Sequence, residues 1–140
     1  KNAILRGGDQ VIIEEDRRYF LSLGASGSET LHRFPKDFVS AADAMAISGG
    51  VLDSRADPGG VLILREYPAS AIGDDRPGPD KERVVFSIDL TSTDGLFAAK
   101  TFRINSQDLI YVTESPVNNV RSILSVIGAG FGVITAAGNI

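Results

Sequence analysis

The sequence predicts an α+β fold, and two observations carry that reading. Residues 17–67 place a strand-like alternation and a second short strand ahead of a helix with a legible start and stop. Residues 84–112 hold another alternating strand, a short helix and a final apolar strand. Period-2 runs beside capped helical runs within one stretch of chain are the mark of a mixed domain.

Taken in order, Tyr19, Leu21 and Leu23 alternate with Phe20, Ser22 and Gly24, as a strand requires. Gly and Ser then crowd into Gly24–Ser28, and a second run follows at Thr30–Phe34. The pair predicts a hairpin whose loop needs residues tolerant of positive φ. Ser40 is a good N-cap, and Asp43 stands at the capping-box position three residues on. Ala41, Ala42, Ala44, Met45, Ala46 and Ile47 favour helix, and Gly49-Gly50 supplies the stop. A turn-rich segment, Asp53–Gly60, leads into Val61–Leu64, apolar enough for a buried strand.

After Tyr67 the chain loosens into a Pro-, Gly- and Asp-rich loop, Pro68–Asp80. Val84, Phe86, Ile88 and Leu90 then alternate with Val85, Ser87 and Asp89. Asp94–Lys100 reads as a short helix capped by Thr93 or Ser92, with Phe97 and Ala98 toward the core. Leu109–Val112 is the final strand of this unit, and Pro116 lies where its ladder must end. Hairpin, helix, turn, strand is the order of a β-grasp, or ubiquitin-like, domain.

The same stretch resembles a known family. A strand, a Gly-containing turn, a helix ending in Ala46-Ile47-Ser48-Gly49-Gly50 and then Arg55–Tyr67 (RADPGGVLILREY) are similar to the soluble-ligand-binding β-grasp (SLBB) domain. More narrowly, they resemble the last such domain of outer-membrane capsule and exopolysaccharide export proteins. Val84–Pro116 continues the match, which runs from about Arg6 to Ile140. The first turn departs from the family: Ala25-Ser26-Gly27-Ser28 stands where a Pro-Gly is usual.

Two segments are similar to each other. Leu5-Arg6-Gly7-Gly8-Asp9-Gln10-Val11-Ile12-Ile13 aligns with Ile104-Asn105-Ser106-Gln107-Asp108-Leu109-Ile110-Tyr111-Val112 when Asp9 is laid on Asp108. Such internal similarity marks a repeated structural unit. Beside the family resemblance, residues 1–16 read as the closing strand of a preceding β-grasp domain, within a longer protein. Residues 17–115 are then the domain itself and residues 116–140 a C-terminal helix.

That last segment carries no charge after Arg121. At helical spacing Val120, Ile123, Leu124, Ile127, Phe131 and Ile134 share one face, with small or weakly polar residues opposite. A 25-residue helix would span roughly 38 Å at about 1.5 Å per residue, against ~30 Å of bilayer hydrocarbon. Gly128 and Gly132 form a small-xxx-small pair that lets helices approach closely. One reading is a helix that docks on the core, or one frayed in isolation because its glycines weaken it. The other, which the resemblance implies, is one member of a ring of helices crossing the outer membrane.

Composition excludes more than it specifies. A net charge of −4 gives no reason to expect a nucleic-acid partner. Without cysteine there is no disulfide framework and no thiolate chemistry. His32 is the only histidine, which argues against a zinc site and leaves any triad to that one residue. No Gly pair is followed by the Lys and Ser/Thr of a phosphate loop. Asp53-Ser54-Arg55-Ala56-Asp57 superficially suggests calcium, but Pro58 follows where a calcium loop has Gly. Neither cofactor nor metal is expected, and no pair of carboxylates is singled out for catalysis.

The expectation is therefore a non-enzymatic part of a polysaccharide export channel in the periplasm and outer membrane of a Gram-negative bacterium. The resemblance implies a homo-oligomeric ring, a polysaccharide chain as cargo and an inner-membrane polysaccharide co-polymerase as partner. Asp53, Arg55, Asp57, Asp74 and Asp75 lie on charged loops that could rim such contacts. A soluble carbohydrate- or small-ligand-binding β-grasp module is one alternative, poorly served by three Tyr and no Trp. An enzyme that modifies peptidoglycan or polysaccharide is the other, and it would need a concentrated acid/base site.

Overall fold

Strand β1 (Tyr19–Gly24) turns back on β2 (Thr30–Arg33) as the predicted antiparallel hairpin, with Phe20 opposite His32 and Leu21 opposite Leu31. Gly24, where the turn begins, has φ 82°. These coordinates are a computed structural model that describes residues 4–50, 60–72, 79–113 and 131–135, the last as backbone.

Helix α1 (Ala41–Ile47) forms where its caps place it. The Asp43 amide donates to Ser40 Oγ at 3.1 Å, and the Ser40 amide donates to Asp43 Oδ2 at 3.0 Å, a complete capping box. At its end the Gly50 amide donates to the Met45 carbonyl at 2.8 Å. Strands β3 (Val61–Glu66) and β4 (Arg83–Ile88) pair antiparallel across a long connection that includes a 3-10 turn at Ala69–Ala71. Helix α2 (Thr93–Thr101) follows, capped by Ser92 Oγ, which accepts from the Gly95 amide at 3.0 Å.

Strand β5 (Leu109–Val112) closes the sheet by entering between β1 and β3. It runs parallel to β1 and antiparallel to β3, so two hairpin-like halves join along a central parallel pair. The order β2-β1-β5-β3-β4 with two helices is a mixed α+β sheet of β-grasp topology. A sixth strand, β6 (Phe131–Thr135), lies parallel to β4 on its outer edge.

Both helices contribute to the core on one face of the sheet. Ala41, Ala44 and Met45 of α1 and Ala99 of α2 pack with Phe20, Val61, Ile63, Ile88, Ile110 and Val112. The face of β1 buried there is the one bearing Phe20 and Ser22, both 0% exposed, whereas Leu23 is 41% exposed. A polar Ser22 is tolerated because its hydroxyl is fully satisfied, donating to the Ser28 carbonyl and lying 2.8 Å from His32 Nε2. On the opposite face Leu31, Leu21, Leu109, Leu64 and Val85 stand in register across five strands.

Two expectations are corrected. Phe97 does not face the core but is 65% exposed, and Ala98 is half-buried. The buried side of α2 carries Gly95 and Ala99 instead, one turn apart, because small residues let the helix approach the Asp89 turn closely. Nor does the expected C-terminal helix run through Phe131, Gly132 and Ile134, which lie in β6. Phe, Val, Ile and Thr in that run suit a pleated ladder, and the outer edge of β4 offers it unpaired backbone groups.

Candidate functional site

The most concentrated polar chemistry among the described residues sits at the mouth of the β3–β5 pair. Arg65 is the fifth residue of β3 and points to the helix-bearing face, opposite Val84 of β4. Asp108 ends the turn that opens β5. Arg65 Nε donates to Asp108 Oδ1 at 2.9 Å and Nη2 to Oδ2 at 2.7 Å. Nη2 also donates to the Arg103 carbonyl at 2.7 Å. The guanidinium lies over the rings of Phe86 and Phe102, each 5.2 Å from the centroid, and near Tyr67 at 5.9 Å.

Burial alone would lower the pKa of Arg65, but the hydrogen bonds and charge of Asp108 outweigh it and raise the pKa above its ordinary value. A charge pair this enclosed, with both partners committed, clamps two strands and offers little to a ligand. The recess beside it, lined by Leu64, Arg65, Glu66, Arg83, Val84 and Gln107, holds about 240 Å³. That is below the roughly 300–1,000 Å³ usual for small-molecule sites.

Ser22 and His32 lie close enough to invite a catalytic reading. Their geometry opposes it. The Ser22 hydroxyl proton is committed to the Ser28 carbonyl, which leaves His32 Nε2 as the donor to Ser22 Oγ. Ser22 is also 0% exposed, and the His32 ring is stacked on Phe20 at 5.0 Å. The pair is a hydrogen-bonded part of the core. Among the described residues no three acidic or histidine side chains converge as metal ligands would.

The turn before β5 has a counterpart near the N-terminus. Arg6–Asp9 and Asn105–Asp108 make the same backbone and Asp side-chain bonds. The internal similarity in the sequence is thus a similarity of structure. Leu5, Val11, Ile12 and Ile13 around the first copy are 61–92% exposed: 65, 61, 70 and 92% in turn.

Comparison with known proteins supplies the rest. No family model matches the sequence. The chain is 27% identical to the capsule polysaccharide export protein BexD of Haemophilus influenzae over 152 residues, covering 99% of this chain and 38% of that protein. It is also 27% identical over 148 residues to the capsule polysaccharide export outer membrane protein CtrA of Neisseria meningitidis, with the same coverage. The Vi polysaccharide export protein VexA/TviF of Salmonella typhi is 21% identical over 119 residues, 85% of this chain. The chain is a relative of polysaccharide export proteins. It spans less than two-fifths of the length of the first of them, 38%.

For this export-protein relative the residues expected at oligomer contacts and in the pore fall in different places. Asp53, Arg55, Asp57, Asp74 and Asp75 lie outside the described residues, as do Val120, Ile123, Leu124, Ile127 and Gly128. Phe131, Gly132 and Ile134 lie in β6, beside Arg83, Val84 and Phe86 of β4. Among the described residues no helix is long and apolar enough to cross a membrane. Reading the sequence did not single out Arg65. The available signal was an arginine ending the apolar run Val61–Leu64, together with Asp108 aligned on Asp9.

Proposed function

We propose that this chain is the β-grasp part of a polysaccharide export protein at the outer membrane of a Gram-negative envelope, and that it acts as a passive structural element. The observation that carries the reading is its relation, over 99% of its length, to proteins named as capsule polysaccharide exporters. The β-grasp topology supports it, as a rigid scaffold that can be repeated around an axis. Identical subunits joined by one repeated heterologous contact close into a ring. Such a ring would enclose a hydrophilic conduit for the polysaccharide and meet a co-polymerase at the inner membrane.

Deleting the gene and quantifying surface polysaccharide tests the role. The expected result is loss of surface polymer with retention inside the cell, restored by complementation. Normal surface polymer in the deletion strain would overturn export. Native mass of the detergent-solubilised protein tests the ring, where a discrete large assembly is expected and a monomer would overturn it. The same measurement without residues 116–140 tests whether that segment holds the protein in detergent micelles.

A further inference from the structure

The sheet carries leucines on the face that the helices leave uncovered. Leu31, Leu21, Leu109 and Leu64 stand in register there across β2, β1, β5 and β3. Burial on this face fades toward the β2 edge. Val85 and Leu62, at the β4–β3 end, are 1% and 2% exposed, whereas Leu23 and Leu31 are 41% and 46% exposed. A sheet face turned to water is normally polar. A leucine face that is covered at one end and open at the other marks a contact surface.

A second apolar patch lies on the opposite side of the domain. Helix α2 packs inward through Gly95 and Ala99, which leaves Leu96 54% and Phe97 65% exposed on its outer side. Each patch is flanked by one acid and one base. Asp94, Phe97 and Lys100 follow at i, i+3 and i+6, a single ridge of the helix, and all three are exposed. Glu29, Leu31 and Arg33 follow at i, i+2 and i+4 along β2 and are exposed too. Arg33 shares the Leu31 face, opposite Tyr19, and its Nη1 donates to the Arg17 carbonyl at 3.1 Å. Glu29 Oε1 accepts from the Gly24 amide at 3.0 Å. The flanking charges are about 9 Å apart along the helix and about 13 Å apart along the strand. Flexible Lys and Arg side chains bridge that difference.

We propose that the outer ridge of α2 docks on the β1–β2 end of the sheet in a second copy of this chain. Phe97 lies against Leu21 and Leu31, with Asp94 toward Arg33 and Lys100 toward Glu29. The inference rests on the ring assembly proposed above and names its repeated contact. Both ridges read acid, apolar, base along the chain, so only the antiparallel alignment sets opposite charges together. The reverse alignment sets like charges together and is disfavoured. Because the two patches face away from each other, a two-fold dimer cannot satisfy both. A copy that offers its helix to one neighbour still offers its sheet to another, the heterologous contact from which rings are built.

Thiol crosslinking of the full-length gene product in detergent tests this. Residues 1–140 contain no cysteine, and the parent protein treated identically is the control. Leu31→Cys combined with Phe97→Cys, treated with a short bis-maleimide, is expected to give a covalent ladder that extends beyond the dimer. Neither single variant should give one. Dimers from a single variant would show a two-fold contact and overturn the proposal. A discrete ring by native mass with no ladder in the double variant overturns this contact and leaves the ring standing. A monomer by native mass overturns both. Arg33→Glu should weaken assembly on the order of 10-fold, with the melting of the domain unchanged, and adding Asp94→Arg should restore it. Failure of the second reversal to restore assembly overturns the pairing of those two charges.

Discussion

Arg65 and Asp108, 43 residues apart in sequence, meet as a two-pronged ion pair whose side chains are only 11% and 2% exposed. Opposite charges so placed cost several kcal/mol to desolvate, and the attraction offsets this only when both partners are present. The pair ties β3 to the turn that launches β5, and so secures the strand that closes the sheet.

Removing one partner should therefore be far worse than losing a surface salt bridge. Asp108→Ala is expected to destabilise the domain by about 3–5 kcal/mol, read from the urea midpoint. Arg65→Lys should incur part of that loss. An ammonium cannot reproduce the fork to both carboxylate oxygens or lie flat on Phe86 and Phe102. Equal stability of Arg65→Lys and the parent would show that the fork contributes nothing.

Gly95→Ala sets two effects against each other. In an open helix the change would stabilise by roughly 1 kcal/mol. Here the new Cβ would stand 1.7 Å from the Asp89 carbonyl oxygen and 2.9 Å from Ser92 Oγ. Relieving that overlap requires backbone movement, so a net destabilisation of about 1–3 kcal/mol is expected. Thermal melting of the single variant checks it.

Gln107→Gly should act in the opposite direction. Gln107 holds φ 75°, a conformation that costs an L-residue roughly 1–2 kcal/mol. Glycine removes that strain but has more freedom to lose on folding, so a net gain of about 0.5–1 kcal/mol is expected. Gly8 already occupies the equivalent position in the first copy of the turn. A destabilised Gln107→Gly variant would show that the glutamine side chain matters more than its backbone.

The capping box predicts an acid-sensitive component of stability. The Ser40 amide, followed by Lys36 and the Ser40 hydroxyl, holds the Asp43 carboxyl at about 2 rather than 3.8. A carboxyl whose pKa is depressed on folding stabilises fully above its unfolded value, and that contribution is lost as pH falls from about 4 toward 2. Asp43→Asn should flatten the pH dependence in this window. Asp16, also held at about 2 by Arg18, leaves a residual slope. Ser40→Ala should cost about 1 kcal/mol at neutral pH.

Strand β6 predicts a result that a helix there would not. Replacing Val133 and Thr135 by proline removes ladder hydrogen bonds that a strand needs. The amides on the outer side of β4, at Arg83–Ser87, should then exchange faster with solvent. Unchanged exchange in β4 would place residues 131–135 away from the sheet.

The hairpin, the two helices, the capping box at Ser40 and Asp43, and the closing strand were all legible in the sequence. So was the repeat that pairs Asp9 with Asp108. Each depends on short-range rules: alternation, caps and turn residues act within a few positions along the chain. The family resemblance was legible for the same reason, since it rests on contiguous motifs.

Tertiary structure decided what those rules leave open. Alternation alone could not say which face of β1 is buried. The core takes Phe20 and a satisfied Ser22, not Leu23, because the helices cover only one side. It also decided that α2 docks through Gly95 and Ala99, with Phe97 left outside. Arg65 finds Asp108 only because β5 inserts beside β3, a pairing across 43 positions that no local pattern encodes. The same holds at the C-terminus. An apolar run with small residues suits either a helix or a strand, and an unpaired edge of β4 selected the strand for Phe131–Thr135.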